Sequence, residues 1–168
     1  MHFLGLSAIM LASFGIGFQS LRLKRKRLQC LREMGDTLAL WACELSGKQT
    51  PLPDLIKEGS LNASGEARRF LLCLSDSLSE LGMRFFSELW INAASELSLL
   101  TEEERRELIS LGKQLGRTEL SRQLTQIDSC RRFFLLRLEK EESALQNNSR
   151  FLLGIPAAAG ALLSILLL

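Results

Sequence analysis

Nucleophilic catalysis needs a hydroxyl or thiol beside a base, and this chain offers almost no base. Its one histidine is His2, at the very start. The four cysteines stand at 30, 43, 73 and 130. None is spaced as Cys-x-x-Cys, so a zinc site is not expected, and these thiols read as small packing residues. Ser46-Gly47-Lys48-Gln49-Thr50 faintly suggests a phosphate loop. It lacks the upstream glycine, a Ser or Thr directly after the lysine, and a preceding strand. Glu102, Glu103, Glu104 and Glu107 form an acidic group, better explained as the solvated start of a helix than as metal ligands. Net charge is +2, too little for a nucleic-acid surface. Asn62-Ala63-Ser64 and Asn147-Asn148-Ser149 match glycosylation sequons, but would stay unmodified on a cytoplasmic face. No catalytic residue, metal, cofactor or small-molecule substrate is assigned, and an enzyme is not expected.

Charge distribution sets the organisation around these residues. All 21 basic and 19 acidic side chains lie between Arg22 and Arg150. Segments 3–21 and 151–168 carry none, and as helices they would reach about 28 and 27 Å, close to the hydrocarbon thickness of a bilayer. The expected domains are a transmembrane helix at 1–21, a helical body at 22–150 and a second transmembrane helix at 151–168. A cleavable signal peptide fits poorly, because the positive charge follows the apolar run instead of preceding it. Arg22, Lys24, Arg25, Lys26 and Arg27 follow the first span and Arg150 precedes the second. Basic residues beside a span stay cytoplasmic, so these six predict a cytoplasmic body with both chain ends outside. Ala8 and Ala12, Ser13 and Gly17, Gly154 and Ala158, and Gly160 and Ser164 are small residues four apart. They either permit close packing of membrane helices or simply reflect composition.

The body is predicted all-α: a six-helix cytoplasmic bundle flanked by N-terminal and C-terminal transmembrane helices. Val and Tyr are absent and Leu dominates, which disfavours strands. A first body helix over 28–48 carries an apolar stripe of Leu31, Met34, Leu38, Trp41 and Leu45. Gly47 and Pro51 end it, and a short helix or turn at 52–58 stops at Gly59. Ser64 is placed to cap a third helix, whose stripe runs Phe70, Leu71, Leu74, Leu78 and Leu81 up to Gly82. A fourth carries Phe85, Leu89, Ala93 and Leu97, with Phe86 and Trp90 beside them. Trp90 serves there either as a binding hot spot or, the plainer reading, as core. Thr101-Glu102-Glu103-Glu104 is a capping box for a fifth helix, with Leu108, Leu111 and Leu115 inward and Gly116 at its C-terminal cap. Gly112 and Gly116 also permit a close helix approach. The sixth begins after Thr118, with Leu120, Leu124, Ile127, Phe134, Leu138 and Leu145 as its stripe and no strong breaker until Pro156.

Several of these landmarks together resemble the stage III sporulation protein AB family of endospore-forming bacteria, over essentially the whole length. They are Glu44, the run Thr50-Pro51-Leu52-Pro53, Trp90, Leu100-Thr101-Glu102-Glu103, Leu111-Gly112-Lys113-Gln114-Leu115-Gly116-Arg117 and the Leu-rich tail from Leu162 to Leu168. One departure is Gly47, where an aromatic is expected before Thr50. The resemblance implies a component of the channel complex between mother cell and forespore, in the mother-cell membrane. It also implies a body similar to the helical domain of the F-type platform protein of type II secretion and type IV pilus machines. By that analogy the partners are the sporulation AA-type cytoplasmic ATPase, other membrane proteins of the complex, and the lipid bilayer. Candidate docking residues are Glu44, Thr50, Pro51, Leu52, Pro53 and Arg117. A structural reading stands beside each: Glu44 as surface, Pro51 and Pro53 as helix breakers, Arg117 as a charge at a helix end. The alternative function is a membrane-tethered regulator or sensor whose helical body binds a partner protein.

Overall fold

The computed structural model describes the backbone of residues 2–48 and 50–166, and the side chains of residues 19, 21–48 and 50–146. Among the described residues there is no β-strand; Leu81 and Arg84 form only an isolated bridge. Six α-helices follow one another: α1 (His2–Gly47), α2 (Leu52–Asn62), α3 (Gly65–Ser77), α4 (Phe86–Ser95), α5 (Glu102–Gln114) and α6 (Leu120–Leu166), with a single 3-10 turn at Leu78–Glu80. The chain divides into two compact units, one of Met1–Arg25 with Glu139–Leu168, the other Lys26–Leu138. The expected all-α class is therefore observed. Among the described residues no helix is long and apolar enough to cross a membrane. The two predicted spans lie outside the described side chains, apart from Gln19 and Leu21.

Helix boundaries differ from expectation in three places. The first span and first body helix were expected as separate elements, yet α1 runs through both. The Arg-Lys-Leu stretch between them contains no Pro, and those residues are good helix formers. Helix α6 likewise continues past Pro156 to Leu166. Helix α2 runs to Asn62 instead of stopping at Gly59. Gly59 is there for space: a Cβ on it would sit 3.2 Å from Leu71 and 3.3 Å from Trp41. A residue without a Cβ lets α2 press onto α1 and α3, and the packing outweighs the helix penalty of glycine.

The core of the Lys26–Leu138 unit centres on aromatic rings. Trp41 on α1 meets Trp90 on α4 edge-on at 5.9 Å, and Phe70 on α3 meets Trp90 at 5.0 Å and 87°. Phe86 closes on the same ring at 5.7 Å. The Trp90 indole N–H donates to the Leu108 carbonyl of α5 at 2.8 Å, so a buried polar atom is satisfied while its ring fills the core. Opposite it, a Cβ on Gly112 would lie only 2.1 Å from Trp90. Trp90 is thus core, and Gly112 is the cavity in α5 that admits it. Gly116 does not share that role; it has open space and φ +75°, as the left-handed cap requires. The whole α1 stripe is buried, as are Ile127, Phe134 and Leu138 of α6, and a Cβ on Gly35 would meet Leu135 at 3.5 Å.

Two stripe assignments fail: Phe85 precedes α4 and is exposed, and Leu81 is exposed past the 3-10 turn, whereas Trp90, placed beside the stripe, is as buried as Ala93 within it. Gly82, at φ +107°, turns the chain out of helix before the apolar period can continue. Ser64 sits at the N-cap of α3, but its hydroxyl makes no cap bond and instead donates to Glu33 on α1. The Thr101 capping box of α5 forms in full: Glu104 N–H donates to Thr101 Oγ1 at 3.4 Å, and Thr101 N–H donates back to Glu104 Oε2 at 2.8 Å.

Candidate protein-docking groove

Three chain reversals meet on one face of the Lys26–Leu138 unit. The first is the entry to α2. Pro51 caps it, its carbonyl accepting from Asp54 N–H at 3.0 Å and Leu55 N–H at 3.1 Å. Pro53 fits in the first turn, where a missing N–H costs nothing. The second is the loop between the 3-10 turn and α4, where Gly82 exposes Leu81, Met83 and Phe85. The third is the end of α5, where Gly116 reverses the chain so that Leu115 is buried and Arg117 exposed. Gln123 on α6 pins this turn, accepting from Gly116 N–H at 3.3 Å and donating to the Thr118 carbonyl at 2.6 Å.

Between them lies a groove of ≈ 330 Å³, with Leu52, Pro53, Phe85, Phe86, Leu115 and Arg117 among its lining. Phe85 is 68% exposed and neighbouring Met83 is 89% exposed. Large apolar side chains clustered in the open mark contact surfaces. Arg117 is the single charged residue in the lining. Its guanidinium carbon stands 5.9 Å from the Phe85 ring centroid, a cation–π arrangement. The chemistry on offer is recognition: apolar contact plus one guanidinium.

Of the six candidate docking residues, Leu52, Pro53 and Arg117 line this groove together, although 64 positions separate Pro53 from Arg117 in sequence. Pro51 is exposed at its edge of α2. Glu44 and Thr50 have a different place. The Glu44 carboxylate accepts from Lys48 Nζ at 3.0 Å and from Thr50 Oγ1 at 3.3 Å, tying the end of α1 to the turn that leads into α2. The same hydrogen bond and charge raise the pKa of Lys48 above its ordinary value. The lysine of the faint phosphate-loop pattern is therefore engaged by its own helix. Among the described residues no cluster of His, Cys, Asp and Glu could hold a metal ion.

The basic run divides as well. Arg22, Lys24, Arg25 and Lys26 are exposed, and the side chain of Arg150 lies outside the described residues. Arg27 instead reaches α5: Nη2 donates to Glu104 Oε1 at 2.8 Å and Nη1 to Oε2 at 3.1 Å, while Nη1 also donates to the Leu99 carbonyl. The Glu104 side chain is 1% exposed and that of Arg27 19%. Glu104 is thus no part of a solvated acidic cluster, unlike its exposed neighbours Glu102 and Glu103. A signal was present: Glu104, Leu108, Leu111 and Leu115 fall at spacings of four, three and four, one face of a helix. The groove's aromatic had no such signal, since Phe85 obeys the apolar period it escapes.

Burial also sorts the thiols. Cys30 and Cys130 are buried and Cys43 is exposed, so the packing role expected of all four fails for Cys43. Burial, then the nearby carboxylates of Glu66, Glu33 and Glu104, pushes the Cys30 thiol up to about 12. Burial, then Glu107, pushes Cys130 up to about 12, and burial raises Cys73 as well.

Compared with known proteins, the chain matches the family described as stage III sporulation protein AB over residues 2–168. No curated protein and no solved structure matches it.

Proposed function

The chain belongs to the stage III sporulation protein AB family and so has a sporulation-related role, and from that premise we propose that it is a membrane platform of the channel complex between mother cell and forespore. In this reading the apolar ends at 3–21 and 151–168 anchor it in the mother-cell membrane. Arg22, Lys24, Arg25 and Lys26 keep the body in the cytoplasm. The body scaffolds, without catalysis, between a cytoplasmic ATPase and the other membrane proteins of the complex. The observation that carries the docking role is the exposed apolar groove beside Arg117, a built surface on an otherwise well-packed bundle.

Mild detergent extraction from sporulating cells, with the full chain as bait, tests this. Stable recovery of a cytoplasmic ATPase together with several small membrane proteins is expected. Recovery of one soluble signalling partner alone would replace the platform with a tethered regulator. Orientation has its own measurement. Cys43 is exposed on the body, so a membrane-impermeant maleimide should leave it unlabelled in intact cells and label it after permeabilisation. Labelling from outside reverses the topology. The buried Cys30 and Cys130 are poor reporters for this purpose, since they resist label on either side.

A further inference from the structure

We propose that the groove between α2, the 81–85 loop and the end of α5 binds a segment of another protein in which a large apolar side chain has a carboxylate within about one helical turn of it. The inference rests on the platform reading only for the identity of that protein; the chemistry comes from the groove. Its walls are apolar, and its volume suits one or two anchoring side chains, the scale at which interface hot spots work. Phe85 stands half out of it, so an incoming side chain gains an aromatic contact at little cost in ordering.

The charge argument selects the second feature. Arg117 is the one charged residue in the lining, and its guanidinium has a ring contact but, among the described residues, no carboxylate partner. The carboxylates nearest in sequence to Phe85 are already matched: Arg84 bridges Glu80 at 3.1 Å and Glu88 at 3.8 Å. An incoming Asp or Glu therefore meets an unpaired fork donor, able to take it in two parallel hydrogen bonds. Anionic lipid is the weaker occupant. A lone arginine falls short of the roughly four to eight clustered basic residues that hold a protein face to a membrane.

A photo-crosslinker tests this in the full chain, in sporulating cells. Phe85→p-benzoylphenylalanine keeps an aromatic in the groove and reacts with whatever fills it. Leu61→p-benzoylphenylalanine, at another exposed leucine, is the control. The adduct at 85, mapped by mass spectrometry, should fall on an apolar residue with an Asp or Glu within four positions. Arg117→Glu should lower its yield about 10-fold and Arg117→Lys about 2- to 3-fold. Both positions are exposed, so unchanged tryptophan fluorescence will confirm that the body is folded. The proposal is overturned by an adduct on lipid, on a second copy of this chain or on a segment without a carboxylate. Equal yield at 61, or yield unchanged by Arg117→Glu, overturns it too. If the mapped segment is apolar and acidic but belongs to a protein outside the ATPase and membrane components, the groove chemistry stands and the platform reading fails. If those components still co-purify while position 85 stays silent, the platform stands and this inference fails.

Discussion

Removing the Glu104 carboxylate tests how the bundle is held at its α1–α5 contact. Glu104→Ala deletes both hydrogen bonds from Arg27, at 2.8 and 3.1 Å, and the acceptor for Thr101 N–H. It leaves a mostly buried guanidinium with the Leu99 carbonyl as an acceptor that carries no formal charge. Breaking a buried ion pair from one side costs about 3–5 kcal/mol. Arg27 keeps some access to water, which places the expected loss near the lower bound, about 3 kcal/mol. For a unit of this size that is a fall in Tm of about 12 °C, at about 4 °C per kcal/mol. The assay is thermal or urea unfolding of the full chain in detergent, read by tryptophan emission. Trp41 and Trp90 are the only tryptophans, and both lie in the core of the Lys26–Leu138 unit, so the signal reports that unit. The double variant Arg27→Met, Glu104→Leu removes both charges and should recover all but about 1 kcal/mol, the residue being the lost cap. A Tm loss under about 4 °C for Glu104→Ala, or a double variant as unstable as the sum of the singles, refutes the reasoning.

Gly112→Ala should destabilise by about 3 kcal/mol in the same unfolding assay, because its methyl would stand 2.1 Å from Trp90 and neither α4 nor α5 can retreat without opening the core. Trp90 emission should also shift to the red if the ring is displaced. Maleimide labelling of detergent-solubilised protein near neutral pH should modify Cys43 promptly and reach Cys30 and Cys130 only on unfolding, because both are buried and held as neutral thiols. Those two thiols also predict an alkaline weakness. Their folded pKa, about 12, lies above the ordinary 9.0, so above pH 9 the unfolded chain loses protons that the native state keeps. Their contribution to stability is complete below pH 9 and is lost between about 9 and 12; urea midpoints across that range should fall, and less steeply in Cys30→Ala.

Much of the bundle is legible because its stripes are strict. The 28–48 pattern marks five core residues, and all five are buried. Likewise the Thr101 capping box reads directly, since it is a local exchange between a residue and its neighbour three on. Non-local geometry is where reading a single chain stops. Gly82 is legible as a helix end, but Leu81 before it and Phe85 after it keep the apolar period of their helices, and only the folded loop at φ +107° shows that both are turned out of the core. Arg27 looks like one cation among five until α5 brings a carboxylate to it. The groove is of the same kind. Leu52, Pro53 and Arg117 were each marked by resemblance, but their common wall exists only after three loops meet.

The contact between Gly35 on α1 and Leu135 on α6 joins positions about 100 residues apart. Loop-closure entropy makes such pairings slow to form. The interior is therefore assembled from the first and last helices of the unit, with α2 to α5 between. While the ribosome extends the chain at about 5–20 residues per second, the α1 stripe waits several seconds at least before Ile127, Phe134 and Leu138 of α6 can complete the core. A nascent body would spend that interval with an open hydrophobic seam. Chaperone dependence during synthesis, and aggregation of fragments truncated before residue 127, are the liabilities that this topology carries.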